Sequence, residues 1–337
     1  MTKRLRWGVL GASGIARGAV IPAIEASRNG TLTAVASRDP EAARALFDVG
    51  KAIRFPTYDA LLADPDIDAV YIPLPNNLHA EWTIRAAEAG KAVLCEKPLA
   101  MDAAEAERVV ARCQQLGVPL MEGFMYRSHP QHSRVRELIA QHAIGEVVEV
   151  RAHLCVDIMS PADPKNVRFS TESGGGSLMD MGCYAVGVCR MIFGTEPTRV
   201  MAHWQIDPAF GVDISAGGVL EFPGGRMGIM SCSFTGNAQG SYAVVGRKGV
   251  IEVPRAILPG LGTRLGEALI VIADGDGRRR EETLPAVDHY RLMVEDFGDA
   301  VLAGGPVPLP PEDSINNMRV LDAIARSARS GRSETVQ

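Results

Sequence analysis

The chain has 337 residues, 46% hydrophobic and 22% charged, with a net charge of −5 at neutral pH. This is ordinary globular composition, with length enough for two domains. It lacks the basic stripe that a nucleic-acid partner requires, and its apolar runs are too short and interrupted to span a bilayer. No apolar signal region fits before the first strand. The six cysteines (Cys95, Cys113, Cys155, Cys183, Cys189 and Cys232) show no CxxC spacing. A cytoplasmic location is therefore expected, with no metal site and no disulfide framework.

Strands and helices alternate from the start. Apolar runs at 5–10, 32–37, 69–72, 92–95 and 118–125 read as strands. Helices are expected at 15–26, 40–47, 59–64, 79–89 and 103–116, the second opening on the cap Asp39 followed by Pro40. This alternation predicts α/β architecture: an N-terminal doubly wound parallel sheet of the Rossmann type over 1–127. Residues 128–337 form the second domain. Alternating stretches at 146–157, 199–207, 214–222, 226–234 and 241–246, with short strands at 249–254 and 268–273, predict an α+β fold on an open, mainly antiparallel sheet. Helices follow at 290–302 and 313–328, and the polar tail 329–337 is expected to fray.

Three segments of the first domain carry chemistry. Gly8-Val9-Leu10-Gly11-Ala12-Ser13-Gly14-Ile15-Ala16 joins the first strand to the first helix, a degenerate dinucleotide fingerprint in the required context. Gly11 permits the tight turn, and the amides of Ser13, Gly14 and Ile15 can face a pyrophosphate. The second strand ends in Ser37-Arg38. A hydroxyl and a guanidinium fork suit a ribose 2′-phosphate, so NADP is preferred to NAD, with NAD still open. The proline-braced loop Pro73-Leu74-Pro75-Asn76-Asn77-Leu78-His79 stiffens a backbone that passes the cofactor, with Asn76 or Asn77 capping the next helix. The strand 92–95 delivers Glu96-Lys97-Pro98 to its carboxyl end, where open α/β sheets bind ligands.

These motifs, in this order, resemble the glucose-fructose oxidoreductase / inositol dehydrogenase family of NAD(P)-dependent oxidoreductases. Residues 122–131 resemble its dihydrodiol and D-xylose dehydrogenase branch. Gly174-Gly175-Gly176-Ser177-Leu178-Met179-Asp180-Met181-Gly182-Cys183-Tyr184 resembles the family's second catalytic signature. The resemblance implies that Tyr184 is the acid/base, Lys97 its electrostatic partner and Asp180 a substrate-positioning group. It implies cofactor contacts from Gly11, Ser13, Gly14, Ile15, Ser37, Arg38, Pro75, Asn76, His79, Glu96, Lys97 and Arg127. Arg168 joins Asp180 and Tyr184 as a substrate contact. It further implies pairing of copies through the open sheet, as a homodimer or homotetramer.

The chemistry is self-consistent. Asp180 and Tyr184 lie four apart, on one face if 177–193 is helical. The preceding glycines are read as letting backbone approach a ligand. A phenol with pKa near 10 is a poor base at neutral pH. An ammonium about 4 Å away, at an effective dielectric near 20, favours the phenolate by roughly 4 kcal/mol, less what burial takes back. The implied activity is hydride transfer between nicotinamide and a CH–OH carbon of an aldopyranose such as D-xylose or D-glucose, or of a trans-dihydrodiol. A keto-sugar reduced in the reverse direction is the alternative. A non-catalytic NADP-binding sensor would be expected to lack Lys97 or the Asp180–Tyr184 pair, and all three are present.

Overall fold

A computed structural model describes residues 3–47, 53–260 and 265–337. The chain divides into two compact units, Met1–Ser128 with Asp288–Ile315, and His129–Val287 with Asn316–Gln337.

In the first unit, β1 (Leu5–Leu10), β2 (Gly30–Ala36), β3 (Ala69–Ile72), β4 (Ala92–Cys95) and β5 (Leu120–Glu122) form a parallel sheet in the order β2-β1-β3-β4-β5. All residues of β3 and β4 are buried, as expected for parallel strands covered on both faces. The connections run through α1 (Ile21–Ala26), α2 (Pro40–Arg44), α3 (Tyr58–Leu62), α4 (Asn76–Glu88) and α5 (Ala103–Leu116). Asp39 caps α2 through the Ala42 amide, and Asp102 caps α5 through the Glu105 amide. Arg54 bridges Ala34 in parallel, with its carbonyl on Val35 N and its amide on Thr33 O. This one-residue remnant of a strand beyond β2 gives the sheet the doubly wound order that reverses between β1 and β3.

Several expected boundaries shift. The strand expected at 118–125 is only Leu120–Glu122, because the chain turns into a 3₁₀ turn at Met125–Ser128. The helix expected at 15–26 opens with a π-helical stretch, Ala16–Val20. Residues 288–315, assigned by sequence to the second domain, pack on the first unit instead. Their helix His289–Ala303 buries Phe297 against Trp7, ring centres 5.5 Å apart, and its Glu295 carbonyl accepts from Asn29 Nδ2 at 2.8 Å.

The second unit opens with α6 (Pro130–Ala140) and is built on a nine-stranded sheet. Its strands are β6 (Val147–Cys155), β7 (Arg199–Ile206), β8 (Asp213–Phe222), β9 (Arg226–Ser233), β10 (Gln239–Gly246), β11 (Gly249–Val253), β12 (Ala268–Asp274), β13 (Arg279–Leu284) and β14 (Glu334–Thr335). The order is β13-β12-β11-β10-β6-β9-β8-β7-β14, antiparallel except for β6 with β9. Helix α7 (Cys183–Phe193), buried nearly all round, covers one face over β6 and β9. The opposite face exposes Met201, Val219 and Met227. The tail expected to fray instead closes a sheet edge: β14 pairs with β7, and Val336 N donates to Thr198 O at 3.0 Å. Among the described residues, no helix is long and apolar enough to cross a membrane.

Candidate active site

Within the first unit, the predicted cofactor residues follow the carboxyl ends of β1 to β5. Gly11 follows β1 with φ +117°, and its amide donates to Ala36 O at 2.9 Å. A Cβ there would lie 3.1 Å from the Leu74 side chain, so glycine lets the proline-braced loop close over the turn. Ser13 Oγ accepts from Ala16 N at 3.2 Å. A Cβ on Gly14 would meet nothing within 4 Å, and Ile15 is exposed. This turn has the shape and amide donors that a pyrophosphate requires. Ser37 Oγ accepts from Asp39 N at 3.1 Å, and Arg38 is exposed beside it.

Sequence reasoning missed Tyr58. Its hydroxyl would be 3.9 Å from a Cβ on Gly11, and its ring meets Trp82 edge-on at 4.9 Å. Burial raises its pKa, against the opposing charge of Arg38. Tyr58 thus stands between the glycine turn and the proposed phosphate fork. It reaches that position through the edge segment around Arg54, which leaves no periodic signal.

Helix α4 begins at Asn76 with Pro75 at the cap position and no side-chain cap, so the expected asparagine cap is not formed. His79 is fully buried, with Nδ1 2.7 Å from Pro98 O and Nε2 2.8 Å from Leu74 O. Both ring nitrogens thus address main-chain carbonyls, and the ring ties the two loops together. Burial pushes its pKa down to about 4, against the two carbonyls, which favour the protonated ring.

Between residues 91 and 100, Lys97 alone is not buried. Glu96 is 8% exposed, and its Oε1 accepts from the Tyr71 hydroxyl at 2.6 Å. Arg127 lies half-buried in the 3₁₀ turn, its amide donating to Phe124 O at 3.0 Å.

In the second unit, Asp180 and Tyr184 share the expected helix, with one difference. Its first turn, Leu178–Gly182, is π-helical and α7 follows from Cys183. Single π turns recur at functional sites. Asp180 Oδ2 receives Arg168 Nε at 2.7 Å, so these two predicted substrate residues do meet. Tyr184 is 7% exposed, one turn further on.

The glycine run also serves internal packing, which the sequence did not reveal. A Cβ on Gly175 would collide with the Arg168 carbonyl, and one on Gly176 with the Asp213 carboxylate. The close fit is fastened by Gly176 N on Arg168 O at 3.0 Å. Asp213, missed by sequence, accepts from Ser177 Oγ and Leu178 N, both at 2.7 Å, and burial raises its pKa. It holds the start of the helix that bears Asp180 and Tyr184. As the opening residue of an ordinary strand it gives no sequence signal. Among the described residues, no group of three or more His, Cys, Asp or Glu is arranged to hold a metal ion.

A doubly wound parallel sheet with a glycine turn at its first crossover is the architecture of a dinucleotide-binding protein. Residues 5–124 match the model of the oxidoreductase family with an NAD-binding Rossmann fold, and residues 132–252 match that of the GFO/IDH/MocA C-terminal domain. The chain belongs to the GFO/IDH/MocA family of oxidoreductases. It is 41% identical to D-xylose 1-dehydrogenase (NADP(+)) 2 of Haloferax volcanii, over 97% of this chain and 98% of that protein. It is 34% identical to trans-1,2-dihydrobenzene-1,2-diol dehydrogenase of Xenopus tropicalis, over 74% and 75% respectively. The crystal structure of a 3-ketoreductase from Actinomadura kijaniata in complex with NADP and TDP-benzene superposes with a TM-score of 0.90, at 31% identity, covering 96% of this chain and 98% of that one.

Proposed function

We propose that this enzyme is an NADP-dependent dehydrogenase that oxidises a CH–OH carbon of an uncharged sugar, an aldopyranose such as D-xylose or D-glucose going to its lactone. A trans-dihydrodiol is the second substrate class. The first unit serves the cofactor and the second the substrate, and copies pair through the open sheet face of the second unit. The observation that carries the sugar assignment is the Arg168–Asp180 pair one turn before Tyr184. It offers an anionic acceptor and guanidinium donors side by side, as hydroxyl recognition needs.

Bound NADP supplies the hydride acceptor, nicotinamide C4. Ser37 and Arg38 would hold the 2′-phosphate, and the amides after Gly11 would hold the pyrophosphate. Pro75, Asn76, Glu96 and Arg127 would serve the nicotinamide half. Asp180 and Arg168 orient the sugar. As the C–H bond breaks with its electron pair, Tyr184 takes the hydroxyl proton and a C=O bond forms. Tyr184 is 7% exposed, and desolvation favours the neutral phenol. The charge of Lys97 is what makes it a base near neutrality.

Reduction of a keto-sugar uses the same groups in reverse, and likeness to the 3-ketoreductase favours that reading. Pairing with Asp180 neutralises Arg168, however, which suits an uncharged sugar better than one bearing a diphosphate.

The test is absorbance at the reduced-nicotinamide band, with NADP or NAD against sugars, dihydrodiols and nucleotide-linked keto-sugars. Free aldopyranose with NADP is expected to turn over fastest. Arg38→Ala should raise KM for NADP about 10- to 100-fold, the worth of one or two charge-assisted hydrogen bonds, and leave NAD unaffected. Unchanged NADP affinity would refute the phosphate assignment.

A further inference from the structure

We propose that Glu122 is a positioning residue for Lys97, a role that rests on the reading of Lys97 as electrostatic partner of the acid/base group. Glu122 ends β5 directly opposite Cys95 in the register of β4 and β5, one residue before the Glu96-Lys97-Pro98 segment. It is 2% exposed, and Oε1 accepts from Leu99 N at 2.8 Å. Three side chains therefore grip the segment around Lys97. Glu122 holds the amide of Leu99, His79 meets the carbonyl of Pro98 at 2.7 Å, and Tyr71 fixes Glu96 at 2.6 Å. Glu96 Oε2 in turn accepts from the Lys97 amide at 3.3 Å.

Burying a carboxyl costs free energy unless hydrogen bonds offset it. The bond to Leu99 fastens the chain two residues past the one side chain in 91–100 that is not buried. The lysine stem is long and flexible, so its ammonium is placed only as well as the backbone beneath it. A displacement near 1 Å at a reacting group can cost about a hundredfold in rate.

The acceptor, not the charge, does the holding, so the conservative variant should restore function. Glu122→Leu is expected to lower kcat about 10- to 100-fold, leave the NADP dissociation constant within about threefold, and move the ascending, acidic limb of the kcat–pH profile for oxidation upward. Glu122→Gln, whose amide oxygen accepts from the same N–H, should return kcat to within about threefold and the limb to its wild-type position. Tyr71→Phe, isosteric and compatible with the core, should shift the limb in the same direction by less.

Wild-type kcat in Glu122→Leu overturns the proposal. So does equal loss in Leu and Gln variants, or a loss with the limb unmoved. If Glu122→Leu does not fold, an unmoved limb in Tyr71→Phe overturns it. Lys97→Met separates the two levels of the argument. Full turnover there sinks the acid/base reading and this proposal with it. An inactive Lys97→Met beside an unaffected Glu122→Leu sinks the positioning role alone.

Discussion

Replacing Lys97 by Met is expected to lower kcat for sugar oxidation about a thousandfold, within the range lost when acid/base assistance is removed. NADP affinity should change only a few-fold, and stability hardly at all. The apolar stem of Lys97 has a near-equivalent in Met, and this residue alone escapes burial in 91–100. What disappears is a positive charge. A buried phenol without that charge stays protonated near neutral pH, so the remaining activity should rise with pH up to the ordinary tyrosine range near 10. Steady-state kcat measured from about pH 6 to 10 in both enzymes tests this. Wild-type turnover in the variant removes Lys97 from the chemistry.

The second large effect belongs to architecture. Gly176→Ala should destabilise the second unit by about 2–4 kcal/mol, combining an unfavourable backbone conformation with a collision. The backbone has φ +110°, and the added Cβ is driven onto the Asp213 carboxylate. Asp213 cannot yield cheaply, because it binds Ser177 Oγ and Leu178 N at 2.7 Å each. Urea unfolding gives the measurement, with Gly14→Ala as control. A Cβ on Gly14 meets nothing within 4 Å, so its stability should stay within about 0.5 kcal/mol of wild type. Equal stability of the two variants would mean that the glycine run is not the packing device described.

Local pattern made much of this legible. The parallel sheet follows from strand–helix alternation, and the cap at Asp39 from its own sequence neighbourhood. The glycine turn was found because its function is written in consecutive residues. What stayed hidden depends on partners distant in sequence. That Gly175 and Gly176 pack against Arg168 and Asp213 is not visible in their own neighbourhood. Nothing local shows that the His79 ring lies between Leu74 O and Pro98 O. Residues 288–315 look like part of the second domain because nothing local reveals that Phe297 packs on Trp7. Asp213, Glu122 and Tyr58 are single residues on ordinary elements, and long-range contact alone distinguishes them. The Asp180–Tyr184 spacing survived the change from α to π geometry because both helices return to nearly the same face after four residues.

Titration of the Tyr184 phenol tests the central claim most directly. Ultraviolet difference spectra between wild type and Tyr184→Phe, with NADP bound, isolate its ionisation, and the same pair is measured on a Lys97→Met background. The account predicts a tyrosinate that forms clearly below the ordinary value near 10 and returns to or above that value once Lys97 is gone. A phenol titrating at or above 10 in the wild type, indifferent to Lys97, would contradict it.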